Sequence, residues 1–558
     1  MMIQRRLPGI LFLLGICICL LQIFVPKFFL TGDGPVHMYN AKILSDFWQG
    51  RDINFWRTFL YQNTEIGTNW SGHAVMATLM NIVSPPMAEK IFVALYALLF
   101  TGGFALVCRK LAPSAGRYLP LIGFLFVFNS TLLKGFYNFS LGLAMSLWAI
   151  WAFLRLMERV KPLNIALFIT CTWLCYISHP LGWYYSALFT GLMLLFHALK
   201  KENRNSKTLT TAIWFAAAHV PIIINQVRFM ISRNQSGLDL QFETDRLTSL
   251  YQFHQLVNYS ISEQTWATLA GVVLLVTAVL ALIRPGPSRT FRYGALIATV
   301  LLSLFIYLSF PDYFSTGGLM MMRAQVFFFL FCALLIASSG LKKLIKNGIS
   351  LVLFGTFLVL SFVRMPIARA ASEGVEDITS AARYLKPYSK VLPLSFNHNG
   401  LTPGGQTIAD QSWLFTHAGN YLTADRRLLM LDNYEANTNY FPFRWVQQYN
   451  PYAYLSAYES IEGQPPFASI NSYLHHHEIP IDYVVLWCYN PSFLMQGHVQ
   501  QMMNEINMNF NLVYTSPSKR TMLYALKPPA PIALPQPDTT SGPRKIISDE
   551  TLKVLNGE

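Results

Sequence analysis

The feature that most constrains this chain is the recurrence of apolar runs long enough to cross a bilayer. At 1.5 Å of rise per helical residue, a hydrocarbon core of about 30 Å needs roughly 20 residues. Runs of about that length lie at 8–30, 87–108, 118–134, 137–155, 163–178, 181–198, 209–226, 264–283, 293–310, 324–341 and 348–363, eleven in all. They predict a mainly α, polytopic membrane bundle. Composition agrees, because 53% of the residues are apolar and 13% charged, against about 25% charged in an ordinary soluble domain. That balance excludes both a soluble enzyme and a disordered chain.

The net charge of +14 would suit nucleic acid if the chain were soluble, but its distribution points to a bilayer instead. Residues 1–363 carry 28 basic and 12 acidic side chains, while residues 364–558 carry 14 and 16. Lys and Arg in short loops stay on the cytoplasmic side. With the N-terminus inside, 18 of those 28 basic residues fall in inner segments and 10 of the 12 acidic ones fall outside. Arg5 and Arg6 precede the first run, which has no clear small-residue cleavage site and reads as an uncleaved helix. The expected location is an inner (plasma) membrane, with the N-terminus cytoplasmic and the C-terminal part extracytoplasmic. Inner loops are short and basic and hold no Gly-rich phosphate loop, so the chemistry is expected outside. Six of the seven cysteines fall in or beside apolar runs, which argues against a disulfide framework.

This gives a transmembrane module over 1–363 with a first outer loop at 31–86. An extracytoplasmic mixed α/β domain follows over 364–527, and a Pro-rich tail expected to be disordered runs over 528–558. Within the second unit, 372–385 has helical character, and 391–396, 483–487, 512–515 and 521–526 are β-prone.

The most informative stretch is Thr31-Gly32-Asp33-Gly34-Pro35-Val36-His37, directly after the first helix. Gly32, Gly34 and Pro35 interrupt the helix, and apolar residues at 36, 39, 43 and 47 then suit an interfacial helix. Asp33 sits where a carboxylate can meet a hydroxyl, as general base or metal ligand, with His37 in support. The competing assignment is an ordinary helix-capping aspartate.

An inner N-terminus, a first outer loop that opens on Asp33, about eleven spans and an outer α/β domain together resemble the GT-C superfamily of membrane glycosyltransferases, such as protein mannosyltransferases and the aminoarabinose transferase of lipid A. The resemblance implies catalytic base or metal ligand for Asp33, and a divalent cation, Mg or Mn, is the cofactor it allows there; no other metal site is assigned. The chain departs from the mannosyltransferases, since Gly34 follows Asp33 where they have an Asp-Glu pair. It also lacks the Trp-Trp-Asp motif of oligosaccharyltransferases.

Chemistry on the outer face favours a polyprenyl-phosphate-linked sugar as donor, because nucleotide sugars are cytosolic and highly charged. A phosphate leaving group needs a cation near the membrane surface. Arg323, after a Met-rich run, is the first candidate, followed by Lys134, Arg228 and Arg233. Polar residues at outer ends of spans, Tyr137, Asn138, His179 and Asp312, are candidates for binding substrate, as is His73, which precedes an apolar stretch read as a re-entrant or interfacial helix. The aromatic and amide-rich stretch from Trp413 to Tyr458 suits either a glycan surface or an aromatic core. The His475-His476-His477 run and Glu478 read as a solvated loop, since consecutive residues converge poorly on one ion. The acceptor is left open among lipid, glycan and protein. The rival readings are a transporter or flippase and a non-catalytic subunit of an envelope assembly.

Overall fold

A computed structural model of the chain describes residues 2–64, 67–112, 116–231, 245–285, 291–313, 318–456, 458–476 and 480–528. Arg233, His477, Glu478 and the tail beyond Pro528 lie outside these residues. The helices in order are α1 (Met2–Phe24), α2 (Gly34–Trp48), α3 (Ile53–Phe59), α4 (Ser71–Leu79), α5 (Pro85–Leu111), α6 (Ser130–Leu133), α7 (Tyr137–Glu158) and α8 (Pro162–Ser178). There follow α9 (Pro180–Leu199), α10 (Ser206–Ile231), α11 (Asp245–Gln252), α12 (Gln264–Ile283), α13 (Phe291–Ser309), α14 (Met320–Ser338) and α15 (Lys343–Thr379).

Among the described residues, eight helices are long and apolar enough to cross a membrane, contributed by α1, α5, α7, α10, α12, α13, α14 and α15. The expected eleven therefore exceeds what length and apolarity support, for reasons visible in the sequence. Run 118–134 is not one helix: a 3-10 turn covers Leu119–Phe126, and Asn129 then caps the four-residue α6 by accepting from the backbone N–H groups of Thr131 and Leu132. α8 has 17 residues, short for a bilayer. α9 has 20 but begins Pro180-Leu181-Gly182-Trp183-Tyr184-Tyr185-Ser186, which dilutes its apolarity.

Position in the bundle follows amphipathicity. α14 is apolar all round and buries every residue from Ala324 to Ala337, as a central helix must. In α1 and α10 only 28% and 22% of the apolar stretch is buried by protein, which leaves their other faces for lipid.

The last helix does not stop at the expected boundary near 363. α15 is one 37-residue helix that absorbs both the last span and most of the separate helix expected over 372–385, which ends as a 3-10 turn at Ser380–Tyr384. Beyond it come β2 (Lys390–Ser395), β3 (Leu429–Met430), β5 (Tyr483–Trp487), β6 (Phe510–Thr515) and β7 (Thr521–Leu526), while β1 (Leu60–Gln62) and β4 (Phe443–Trp445) pair apart from them. The five-stranded sheet has the order β3-β2-β5-β7-β6, with β3, β2 and β5 parallel and β7 antiparallel to both its neighbours. Val391 faces Tyr483 in register, and Val484 faces Tyr524. β5 is buried throughout, as a central strand covered on both faces should be.

The segment between α1 and α5 and the C-terminal unit are joined closely. β1 pairs antiparallel with β4, Leu60 opposite Trp445. On α2, the Tyr39 hydroxyl donates to the Leu428 carbonyl and accepts from the Met430 N–H, both at 3.1 Å. The Asn40 and Asn433 amides exchange hydrogen bonds of 2.9 Å. These contacts place residues 430–441 beside the turn that carries Asp33.

Candidate functional site

Two backbone segments laid against each other set the position of Asp33. The Gly32 N–H donates to the Leu133 carbonyl at 3.0 Å and the Asp33 N–H to the Lys134 carbonyl at 2.9 Å. Gly135, at φ +91°, completes the approach, since a Cβ there would collide with the backbone nitrogens of Asp33 and Gly34. Asp33 stands at the N-cap of α2, yet its side chain makes no capping hydrogen bond.

The carboxylate faces a cavity of about 990 Å³. Its walls include Asp33, His37, Asn138, His179, Arg323 and Tyr434, with Phe136, Phe139, Tyr185, Tyr440, Phe441 and Met320 among the aromatic and apolar residues that line it. The Tyr434 hydroxyl hydrogen-bonds to Asp33, and His417 Nε2 lies 4.0 Å from Oδ1. Burial pushes the Asp33 carboxyl above its usual range, against the opposing charges of His417 and His37.

Arg323 opens α14 and enters the same cavity. Its guanidinium lies over the rings of Phe136 at 4.5 Å and Phe139 at 5.6 Å, and its buried Nε has no hydrogen-bond partner among the described residues. It lies within electrostatic reach of Asp33. The cavity thus holds a cation and a carboxylate together in aromatic surroundings.

The other expected residues divide. His37 lines the cavity and meets His73 Nε2 through its own Nδ1 at 3.1 Å. His73, on α4, is fully buried and stands 3.0 Å from Glu435 Oε2. Burial works to raise the Glu435 carboxyl, but His37 and His73 outweigh it and hold it at about 2. Asn138 lines the cavity, accepts from the Gly72 N–H at 2.7 Å and donates to the Asn69 carbonyl at 2.8 Å. His179 also lines it, but its Nδ1 caps α9 by accepting from the Leu181 N–H at 3.2 Å.

His73 and four further expected residues lie off the cavity wall. Tyr137 is fully buried, with its hydroxyl donating to Glu89 Oε1 at 2.6 Å. Lys134 supports Asp33 through its backbone carbonyl, and its ammonium is close enough to feel the Asp33 charge. Arg228 is exposed on α10. Asp312 accepts from the Met321 N–H at 2.9 Å, in the first turn of α14.

The aromatic-rich stretch divides between cavity wall and core. Tyr434, Tyr440 and Phe441 face the cavity, whereas Tyr421, Phe443 and Trp445 are core.

Sequence reasoning missed the acids and the histidine of the C-terminal unit. His417 Nε2 stands 3.3 Å from Glu462, its Nδ1 is 3.6 Å from Asp432, and its ring stacks on Tyr434 at 5.0 Å. Asp432 and Glu435 sit within an Asp432-Asn433-Tyr434-Glu435 run that was weighed for its aromatics and amides. Glu89 was missed as well, although a carboxylate inside an apolar run is a signal by itself. Both its oxygens accept at 2.6 Å, from the Tyr137 and Tyr421 hydroxyls.

No protein-family model matches the sequence, and no curated protein matches it. Among solved structures, ArnT from Cupriavidus metallidurans bound to undecaprenyl phosphate is similar with a TM-score of 0.50 at 10% identity, over 92% of this chain and 97% of that one. A mutant of the arabinofuranosyltransferase AftD from Mycobacteria is similar with a TM-score of 0.50 at 11% identity, over 93% of this chain and 41% of AftD. The chain therefore spans about two-fifths of AftD's length.

Proposed function

We propose that this chain, whose fold is that of the GT-C membrane glycosyltransferases, moves a sugar from a polyprenyl-phosphate carrier to an acceptor hydroxyl on the extracytoplasmic face of an inner (plasma) membrane. The observation that carries this reading is the cavity, in which a carboxylate free of capping duty and a guanidinium with an unpartnered Nε share one aromatic-walled space. An isoprenoid chain suits such walls. The binding of undecaprenyl phosphate by ArnT supports the same donor class.

Asp33 acts as general base on the acceptor hydroxyl. The acceptor oxygen forms the new bond to the sugar's anomeric carbon while the bond from that carbon to the phosphate oxygen breaks. The proton passes to Asp33, and the phosphate leaves with its gathering charge toward Arg323. One displacement inverts the anomeric centre. Burial supports the base role, because a carboxyl raised above its usual range holds a proton better. A divalent cation at Asp33 has less support, since no group of three His, Cys, Asp or Glu ligand atoms among the described residues includes it.

Cavity residues Asn138, His179, Tyr434 and Tyr440 are placed to meet sugar and acceptor hydroxyls. The test is Asp33→Asn, which keeps size and removes charge. Transfer of labelled sugar from the lipid carrier in membranes should fall by roughly 10²–10⁴-fold while the protein keeps its wild-type elution profile. Transfer at the wild-type rate would refute the assignment.

A further inference from the structure

A second group of chemistry-bearing side chains meets next to the cavity: His37 on α2, His73 on α4 and Glu435 in the turn after Asn433. All three are buried, and one ligand atom from each lies within 4.8 Å of the others. His73 Nε2 stands 3.1 Å from His37 Nδ1 and 3.0 Å from Glu435 Oε2. Tetrahedral zinc with bonds of about 2.0–2.1 Å separates its ligand atoms by roughly 3.3 Å.

Protons alone serve this meeting poorly. Glu435 Oε1 touches His37 Nδ1 and is shut off from solvent. A single proton shared between the two facing nitrogens leaves a carboxylate contact with lone pair against lone pair. Protons on both nitrogens can serve the carboxylate but crowd two N–H groups together across 3.1 Å. A cation among the three groups meets a lone pair from each and removes both conflicts.

The surroundings are those of a ligand set held in place. Asn40 Nδ2 donates to Glu435 Oε2 at 2.8 Å, and Asn40 is itself paired with Asn433. Asn138 Nδ2 stands 3.5 Å from His73 Nδ1, too far to fix the tautomer of that ring. Two imidazoles with one carboxylate select zinc-class ions over Mg or Mn, which prefer all-oxygen sites.

We propose that His37, His73 and Glu435 bind one zinc-class ion, which ties the first outer loop to the C-terminal unit beside the Asp33 turn. The site does not depend on the transferase reading. Its ion holds together α2, α4 and the Tyr434 turn, two of which supply residues to the cavity.

The test uses the full chain in detergent, stripped with a chelator and then given ZnCl₂ or CoCl₂. Wild-type protein should retain about one zinc per chain by plasma mass spectrometry, melt at a higher temperature with zinc, and show the visible absorption of four-coordinate cobalt. His73→Gln and Glu435→Gln should weaken zinc retention by roughly tenfold or more and abolish the cobalt band, whereas Asp33→Asn should keep both. That last variant separates this site from the base assignment. Folded wild-type protein that takes up no zinc, or zinc retained undiminished by Glu435→Gln, would overturn the proposal. The wild-type measurement decides even where a variant misfolds.

Discussion

Arg323 carries opposite demands from folding and chemistry. A guanidinium at the end of an apolar helix is costly unless something compensates it, and the rings of Phe136 and Phe139 do so in part while Nε is left bare. If that nitrogen awaits a phosphate, Arg323→Met should lower kcat/KM for the lipid-linked donor on the order of 10²-fold. Arg323→Lys should recover part of the loss, because it restores charge without the planar fork. Equal activity of all three forms with the donor would remove Arg323 from the site. His417 gives a prediction in pH. Burial would lower its imidazole, but Glu462 and Asp432, with Asp33 beyond, raise it well above its ordinary range, and His398 adds a neighbour that itself titrates. A raised folded value stabilises the fold fully below the unfolded imidazole value of about 6.5 and loses that contribution as pH rises through the folded value. His417→Gln should therefore melt below wild type at mildly acidic pH, with the gap closing as pH rises above neutral; a gap independent of pH would contradict the pairing. Asp33 and Arg323 were legible in the sequence because each is a charge beside an apolar run. His417 and Glu435 were not, because nothing local ties residues near 420 to residue 33; the link exists only once α2 has docked.

At the scale of elements, the strands over 483–487 and 521–526 were legible to the residue, since their apolar content and flanking turns leave little choice. Length misled where apolarity continued through a break. Run 118–134 is apolar enough to read as a span, but Pro120 and Asn129 divide it into a 3-10 turn and a cap. The reverse holds at 363, where the hydrophobic stretch ends but the helix runs on to Thr379 as α15. Backbone continuity and apolarity are separate properties, and only the second is written in composition. The loop from Lys134 to Phe136 shows what such breaks achieve, because Gly135 lets it pack against the nitrogens of Asp33 and Gly34. Gly135→Ala adds a Cβ at a positive φ and into backbone, at a cost of roughly 1–3 kcal/mol. The variant should melt at a lower temperature and lose transfer activity as Asp33 shifts. Gly497→Ala, with nothing near its added Cβ, should change neither.

Across the whole molecule, segments far apart in sequence converge at a buried ion pair. Arg364 Nε donates to Glu263 Oε2 at 2.7 Å, Nη1 to the Phe128 carbonyl at 3.1 Å, and Nη2 to the Leu256 carbonyl. Glu263 in turn accepts from the N–H groups of Asn258 at 3.1 Å, Tyr259 at 2.7 Å and Ser260 at 3.1 Å. One pair thus joins α15 to the loops before α6 and α12. Breaking a buried pair by removing one partner costs about 3–5 kcal/mol, and replacing both with apolar groups often restores stability. Here it should not, because the Leu256 carbonyl and the N–H groups of Asn258, Tyr259 and Ser260 would lose their partners along with the charges. Only the Phe128 carbonyl keeps another donor, Asn258 Nδ2 at 2.8 Å, and each unsatisfied buried group costs about 1–3 kcal/mol. Arg364→Met should lower the unfolding midpoint in detergent sharply, and the double variant Glu263→Leu with Arg364→Met should recover less than half of the loss. A double variant as stable as wild type would show that the pair is an ordinary ion pair whose surrounding carbonyls and N–H groups find other partners.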